Sequence, residues 1–193
     1  MPRLTTIIGS TRPGRAGLPI ARWFVDRARA HGGFDIDVVD LAELDLPLMD
    51  EPNHPRLRDY RHQHTRDWSA IVDASDAFVM VTPEYNYGYP AALKNAIDYL
   101  QQEWRDKPVG FVSYGGVAAG TRAVQQLKQV VTTLKMVPLF EAVNVPFHPQ
   151  FITEDDVVQA NQIMEQAADA MLDELQRVEG ALRQLRETTA KTA

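Results

Sequence analysis

Five short apolar runs, each followed by a longer stretch of helical spacing, constrain this chain more than anything else in it. Leu4 to Ile8 is a β-branched run stopped by Gly9, and a helix pattern follows from about Leu18 to His31. Phe34, Ile36 and Val38 alternate with acidic residues, as on a half-buried strand, before Tyr60, His64, Trp68, Ile71 and Val72 keep a helical period. Ala77 to Val81 is apolar throughout, the mark of a central strand covered on both faces. Leu93, Ala96, Ile97 and Leu100 form one helix stripe; Val109 to Ser113 reads as a strand, and Val124, Leu127, Val131 and Leu134 as a helix. Leu139 to Val145 makes a fifth strand, closed by Pro146 and Pro149. Thr153, with Asp156 three residues on, reads as a capping box that opens a last long helix over 153–193.

Five strands alternating with five helices predict one α/β domain over residues 1–193, a three-layer sandwich. Right-handed crossovers and five strands favour a parallel sheet in the order 2-1-3-4-5 with helices on both faces. In such a sheet, ligands bind at the carboxyl ends of the strands, beside the switch point between the first and third. Residues with unusual chemistry should therefore cluster after strands one, three and four.

Composition removes several classes of function. With no cysteine, disulfides, thiolate nucleophiles, Cys-ligated zinc and iron–sulfur clusters are excluded. A net charge of −6 argues against a nucleic-acid surface, which needs clustered positive charge. No apolar run approaches the roughly 20 residues that span a bilayer. The N-terminal run meets Gly9 and Arg12 before a signal-peptide core can form, so the expected setting is cytoplasmic.

The loop after the first strand runs Gly9-Ser10-Thr11-Arg12-Pro13-Gly14-Arg15-Ala16-Gly17. Small residues admit an anion to the backbone amides, the next helix adds its positive end, and Arg12 and Arg15 offer charged forks. It is not a Walker A loop, because Arg15-Ala16 stands where Lys-Ser or Lys-Thr belongs, and no G-x-G-x-x-G follows the strand. After the third strand comes Thr82-Pro83-Glu84-Tyr85-Asn86-Tyr87-Gly88-Tyr89-Pro90. Its tyrosines suit a flat aromatic ligand, or else packing on the subunit or a partner. After the fourth comes Ser113-Tyr114-Gly115-Gly116, where adjacent glycines allow backbone amides to approach a heterocycle.

Gly9-Ser10-x-Arg12, then Pro83-Glu84-Tyr85-Asn86 leading to Leu93-Lys94-Asn95-Ala96-Ile97-Asp98, then Ser113-Tyr114-Gly115-Gly116, resemble the NADPH-dependent FMN reductase family over roughly residues 1–150. Its members are flavodoxin-like flavoproteins, among them quinone, azo-compound and chromate reductases. The resemblance implies bound FMN with NADPH or NADH as the reductant. By it, Ser10, Arg12 and Gly17, Leu18 and Pro19 would hold the FMN phosphate, with Arg15 and backbone amides replacing the Ser and Asn donors that many members carry there. Pro83, Glu84, Tyr85, Asn86 and Tyr87 would line the isoalloxazine, and Ser113, Tyr114, Gly115 and Gly116 its pyrimidine side.

The implied function is an NAD(P)H oxidoreductase that passes hydride to FMN and electrons on to a quinone, azo or nitro compound, chromate or free flavin. The flavin carries the chemistry, so no catalytic side chain is assigned and no metal is expected. Glu84 is expected to make structural hydrogen bonds, while Tyr85, Tyr87 and Tyr114 suit stacking. Two readings compete: a flavodoxin-like electron carrier without nicotinamide turnover, and a flavin-free module that binds phosphate ligands.

Other features carry less. His62 and His64, two apart, should face different ways on a helix, and His148 reads as a loop residue. Arg56, Arg58, Arg61 and Arg66 read as a solvated helix face. Met164, Met171, Val178 and Leu185 recur every seven residues, with Ala168, Leu175 and Leu182 between them. This is either a coiled-coil seam against a second subunit or a helix that covers the sheet and ends in a polar stretch, Arg186 to Ala193. The length of the helix favours the subunit contact, and the resemblance also implies a homodimer or homotetramer.

Overall fold

Every residue of β3 (Ala77–Pro83) is buried, and the sheet is assembled around that strand. The computed structural model describes residues 1–192, with side chains through residue 188. β1 (Arg3–Ile8) and β4 (Pro108–Gly115) flank β3, β2 (Asp35–Asp40) lies outside β1, and β5 (Val137–Pro146) lies outside β4. All four pairings are parallel, so the sheet has the order 2-1-3-4-5 of a flavodoxin-like fold.

Side-chain alternation divides the core in two. Val79 and Val81 point to one face of the sheet, Phe78 and Met80 to the other. The first face is covered by α1 (Gly17–His31) and α6 (Gln162–Thr192) through Ile20, Phe24, Met171 and Leu175. The second is covered by α3 (Gln63–Ala74), α4 (Ala91–Asp98) and α5 (Thr121–Thr133) through Trp68, Leu93, Ile97 and Leu127. Each such side chain contributes about 1.5–3 kcal/mol on leaving water. The indoles of Trp68 and Trp104 also donate to the carbonyls of Ala96 at 2.8 Å and Ile97 at 3.2 Å, which fixes α4 below the rim.

The structure departs from expectation at several points. A short helix, α2 (Leu41–Leu44), follows β2, with Asp40 accepting from the amide of Ala42 as its cap. The last helix opens at Gln162 rather than at 153: the hydroxyl of Thr153 is used within a turn by the amide of Val157, and Asn161 takes the amide of Met164. Its seven-residue seam is already occupied, since Met164, Ala168, Met171 and Leu175 are buried against this chain's own sheet. The helix therefore covers the sheet with the first half of its seam, while Leu185 in the second half is 49% exposed. Ala193 and the side chains beyond residue 188 of the expected polar end lie outside the described residues.

The segment before α3 holds two further corrections. Of the four arginines only Arg66 lies on that helix, and it donates to the carbonyls of Tyr60 and Arg61. Arg58 instead reaches Asp73 and the buried Glu103, because the chain here is a strap rather than a helix. His62 caps α3, so helical spacing does not separate it from His64; the two rings stack at 5.2 Å and both approach Asp50. Among the described residues no helix is long and apolar enough to cross a membrane.

Candidate functional site

The loops after β1, β3 and β4 meet at the carboxyl end of the sheet, where side chains and close backbone contacts join them. Gly9 continues the ladder past the end of β1, its amide donating to the carbonyl of Val81 at 2.9 Å. A Cβ there would stand 3.0 Å from Leu93 and 3.1 Å from that carbonyl, so glycine lets α4 close on the loop. Ser10, fully buried, shares a 2.7 Å hydrogen bond with the hydroxyl of Tyr85.

Ala16 precedes α1 without a side-chain cap, and the first turn holds no acid. The amides of Gly17 and Leu18 thus have no intrahelical partner, and Pro19 has no N–H to satisfy. Arg12 is exposed, and its guanidinium has no partner among the described residues. Arg15 turns the other way and is ion-paired with the buried carboxylate of Asp40 at the end of β2. That pair holds the loop to the sheet, while Arg15 still lines the hollow beside the helix end.

The loop after β3 is a tight turn. Tyr85 and Gly88 exchange two backbone hydrogen bonds, at 2.8 and 2.9 Å, across Asn86 and Tyr87, whose φ values are 50° and 72°. Positive φ at both central positions defines a type I′ turn, unusual for an aromatic residue and costing of order 1–3 kcal/mol. It aims the ring of Tyr87 at Arg122, whose guanidinium lies 3.8 Å from the ring centre, and leaves Tyr87 61% exposed. Glu84 is committed to α5: one carboxylate oxygen accepts from the amide of Arg122 at 3.2 Å and the other pairs with its guanidinium. That hydrogen bond and the charge of Glu84 push the guanidinium's pKa up further.

The third loop begins later than expected. β4 continues through Gly115, so Ser113 and Tyr114 are strand residues whose side chains alternate across the sheet. Ser113 is buried and donates to Asn144 at 2.9 Å, while Tyr114 points beneath α1. Neither side chain faces the rim for stacking, leaving Gly115 and Gly116 as the backbone surface there. A Cβ on Gly17 would meet the Tyr114 hydroxyl at 2.7 Å, and this buried hydroxyl makes no hydrogen bond of good geometry, with the Ser10 side chain its neighbour. Burial, and next the neighbouring Tyr85, push its pKa well above the usual phenol range, so it stays a donor. His148 stands edge-on to the Tyr114 ring at 5.2 Å.

Two hollows flank the loop after β1, each within the size range of small-molecule sites. One, of about 340 Å³, is lined by Thr11, Asp45, Leu46 and Asn95 among others. The second, of about 400 Å³, is lined by Gly14, Arg15, Leu18, Arg22 and His148 among others. Sequence reasoning missed Asp40, Arg122 and Asn144. Asp40 had a visible signal, because it falls on the same parity as Ile36 and Val38, where alternation calls for an apolar side chain.

Residues 2–150 match the family model described as NADPH-dependent FMN reductase. A protein of Schizosaccharomyces pombe named as an NAD(P)H-dependent FMN reductase is 42% identical over 149 residues, covering 75% of this chain and 74% of the relative. A Staphylococcus haemolyticus protein named as an FMN-dependent NADPH-azoreductase is 30% identical, covering 66% of this chain and 68% of that one. Among solved structures, FerB from Paracoccus denitrificans superposes with a TM-score of 0.75 over 94% of this chain and 98% of its own. At 22% identity that superposition speaks to the fold alone.

Proposed function

The chain belongs to the NADPH-dependent FMN reductase family, and from that premise we propose how its rim holds the cofactor and which acceptors it serves. It is an FMN-dependent NAD(P)H oxidoreductase. FMN, when bound, supplies the two-electron chemistry between the nicotinamide and the acceptor. The observation that carries the site assignment is the uncapped, acid-free first turn of α1 beside Ser10, Arg12 and the unpartnered Tyr114 hydroxyl. A helix end with free amides, hydroxyls and a free guanidinium beside it fits a phosphate.

In this reading Ser10, Arg12 and the amides of Gly17 and Leu18 hold the phosphate, with Pro19 fixing the turn. Arg15 positions the loop through Asp40. The Pro83–Tyr87 segment lines the ring system, and the amides of Gly115 and Gly116 face its polar edge. No side chain is assigned as a catalytic acid, since Glu84 is spent on α5. The protein's contribution is alignment of the two substrates against one cofactor.

The exposed ring of Tyr87 and the half-exposed Tyr85 offer flat faces beside the site, which suits planar acceptors such as quinones and azo or nitro aromatics. The homodimer expected from the resemblance stays part of this proposal, without the buried first half of the α6 seam, Met164 to Leu175, as its contact. The test is purified protein mixed with FMN, followed by NADPH oxidation with a quinone and then with an azo dye. Yellow protein with turnover on both supports the proposal. Protein that neither retains FMN nor oxidises NADPH overturns it, and flavoprotein reduced only by another protein favours an electron carrier.

A further inference from the structure

Tyr114 is 3% exposed, its hydroxyl is buried without a hydrogen-bond partner, and the missing side chain of Gly17 is what leaves room for that hydroxyl. Buried polar atoms are nearly always paired, because an unpaired one forfeits its hydrogen bonds to water. A phenylalanine would fill the same space under α1 with no such loss. The hydroxyl therefore marks a place where something else completes the structure.

What surrounds it defines the chemistry of that partner. The Ser10 and Tyr85 hydroxyls meet each other close by, Arg12 stands free on the loop, and the first turn of α1 has neither cap nor acid. Groups able to donate converge from two strand ends and one helix end, and an acceptor-rich anion would engage them together. We propose that the Tyr114 hydroxyl donates to the phosphate end of the flavin mononucleotide and so selects phosphorylated flavin over riboflavin. This rests on the FMN-binding reading above and moves Tyr114 from the ring of the cofactor to its opposite end. It also gives β4 a hand in both ends of one ligand, through a side chain below the sheet rim and glycine amides above it.

The test compares dissociation constants for FMN and riboflavin, read by quenching of flavin fluorescence, in the wild type and Tyr114→Phe. The expected result is an FMN constant raised roughly 10–100-fold, the range for a hydrogen bond to a charged group. The riboflavin constant should stay within about twofold. The ligand-free variant should melt no lower than the wild type, because no bond within the protein is lost. Gly17→Ala, which pushes on the hydroxyl, should show the same selective loss. Equal losses for both flavins, or an unchanged FMN constant in Tyr114→Phe, overturn the proposal. A wild type that binds neither flavin overturns the function reading and this one with it. A wild-type preference for FMN that is undiminished in Tyr114→Phe overturns this one alone.

Discussion

Arg15, on the loop after β1, is ion-paired with Asp40, which stands beside Ile8 at the end of β2 and also accepts from the amide of Ala42 at 3.0 Å. One carboxylate thus ties the loop after β1, the edge strand and the start of α2 together. Its side chain is 7% exposed and that of Arg15 is 16% exposed, so the pair is largely shielded from solvent. Asp40→Ala should cost about 3 kcal/mol, by stranding a buried guanidinium and removing a helix cap. Urea unfolding measures this, and an unmoved midpoint would count against the role given to Arg15.

Glu84→Gln should lower the melting temperature by a few degrees while leaving the pH profile of turnover unchanged. The carboxylate serves the amide and guanidinium of Arg122 and gives up no proton in the reaction. A lost or displaced limb in the pH–rate profile would instead make Glu84 a general acid or base.

Tyr87 sits at a φ of 72°, which glycine adopts freely. Tyr87→Gly therefore removes the ring without disturbing the turn. The Michaelis constant for a quinone should rise roughly 3–10-fold, the worth of one aromatic contact, with that for NADPH nearly unchanged. Steady-state kinetics with each substrate varied decides it, and equal effects on both would place Tyr87 at the nicotinamide instead.

Lys107 is buried at the end of α3, where its amine donates to the carbonyls of Val72 at 2.7 Å and Asp73 at 3.1 Å. Burial pushes its pKa down from 10.5 to about 8. A depressed lysine is a protonation cost in the folded state, fully present below pH 8 and relieved as pH rises towards the unfolded value. Stability should therefore climb by up to about 2 kcal/mol between pH 8 and 10. Lys107→Met should abolish that climb. Above pH 10 Tyr60 and Tyr99, whose phenols burial pushes up, act in the opposite direction and bound the useful window.

A chain ending at Val178 keeps the buried part of the α6 seam, Met164 to Leu175, and loses Arg186 with its bonds to Asp76 and the carbonyl of Asp106. It should melt a few degrees lower, about 1 kcal/mol, and elute with the same oligomeric state as the full chain. A shift to smaller size on gel filtration would return the tail to a subunit contact.

The order of strands and the three rim loops were legible because alternation, helical stripes and glycine punctuation are local signals. Strand ends were less so. Tyr114 reads as a loop residue and Ser113 as the point where strand gives way to loop, because glycines follow them, yet β4 runs on through Gly115, and period two then sends their side chains to opposite faces. The pairing of Arg15 with Asp40 joins residues 25 apart across a parallel sheet, which no local pattern reports. The tail misled for a related reason: a seven-residue repeat looks the same whether its partner is another helix or the chain's own sheet.

That covering helix has a consequence for how the protein is made. The face of the sheet shared by β4 and β5 is closed by α6, which follows every other described element in chain order. Until it emerges from the ribosome, Leu139, Val143 and Val145 lack the cover of Met164, Ala168, Met171 and Leu175, and the nascent chain carries a partly open apolar face. Completion of the core thus waits on the synthesis of α6, and a product stalled or cut before that helix would be most prone to capture by chaperones or to aggregation.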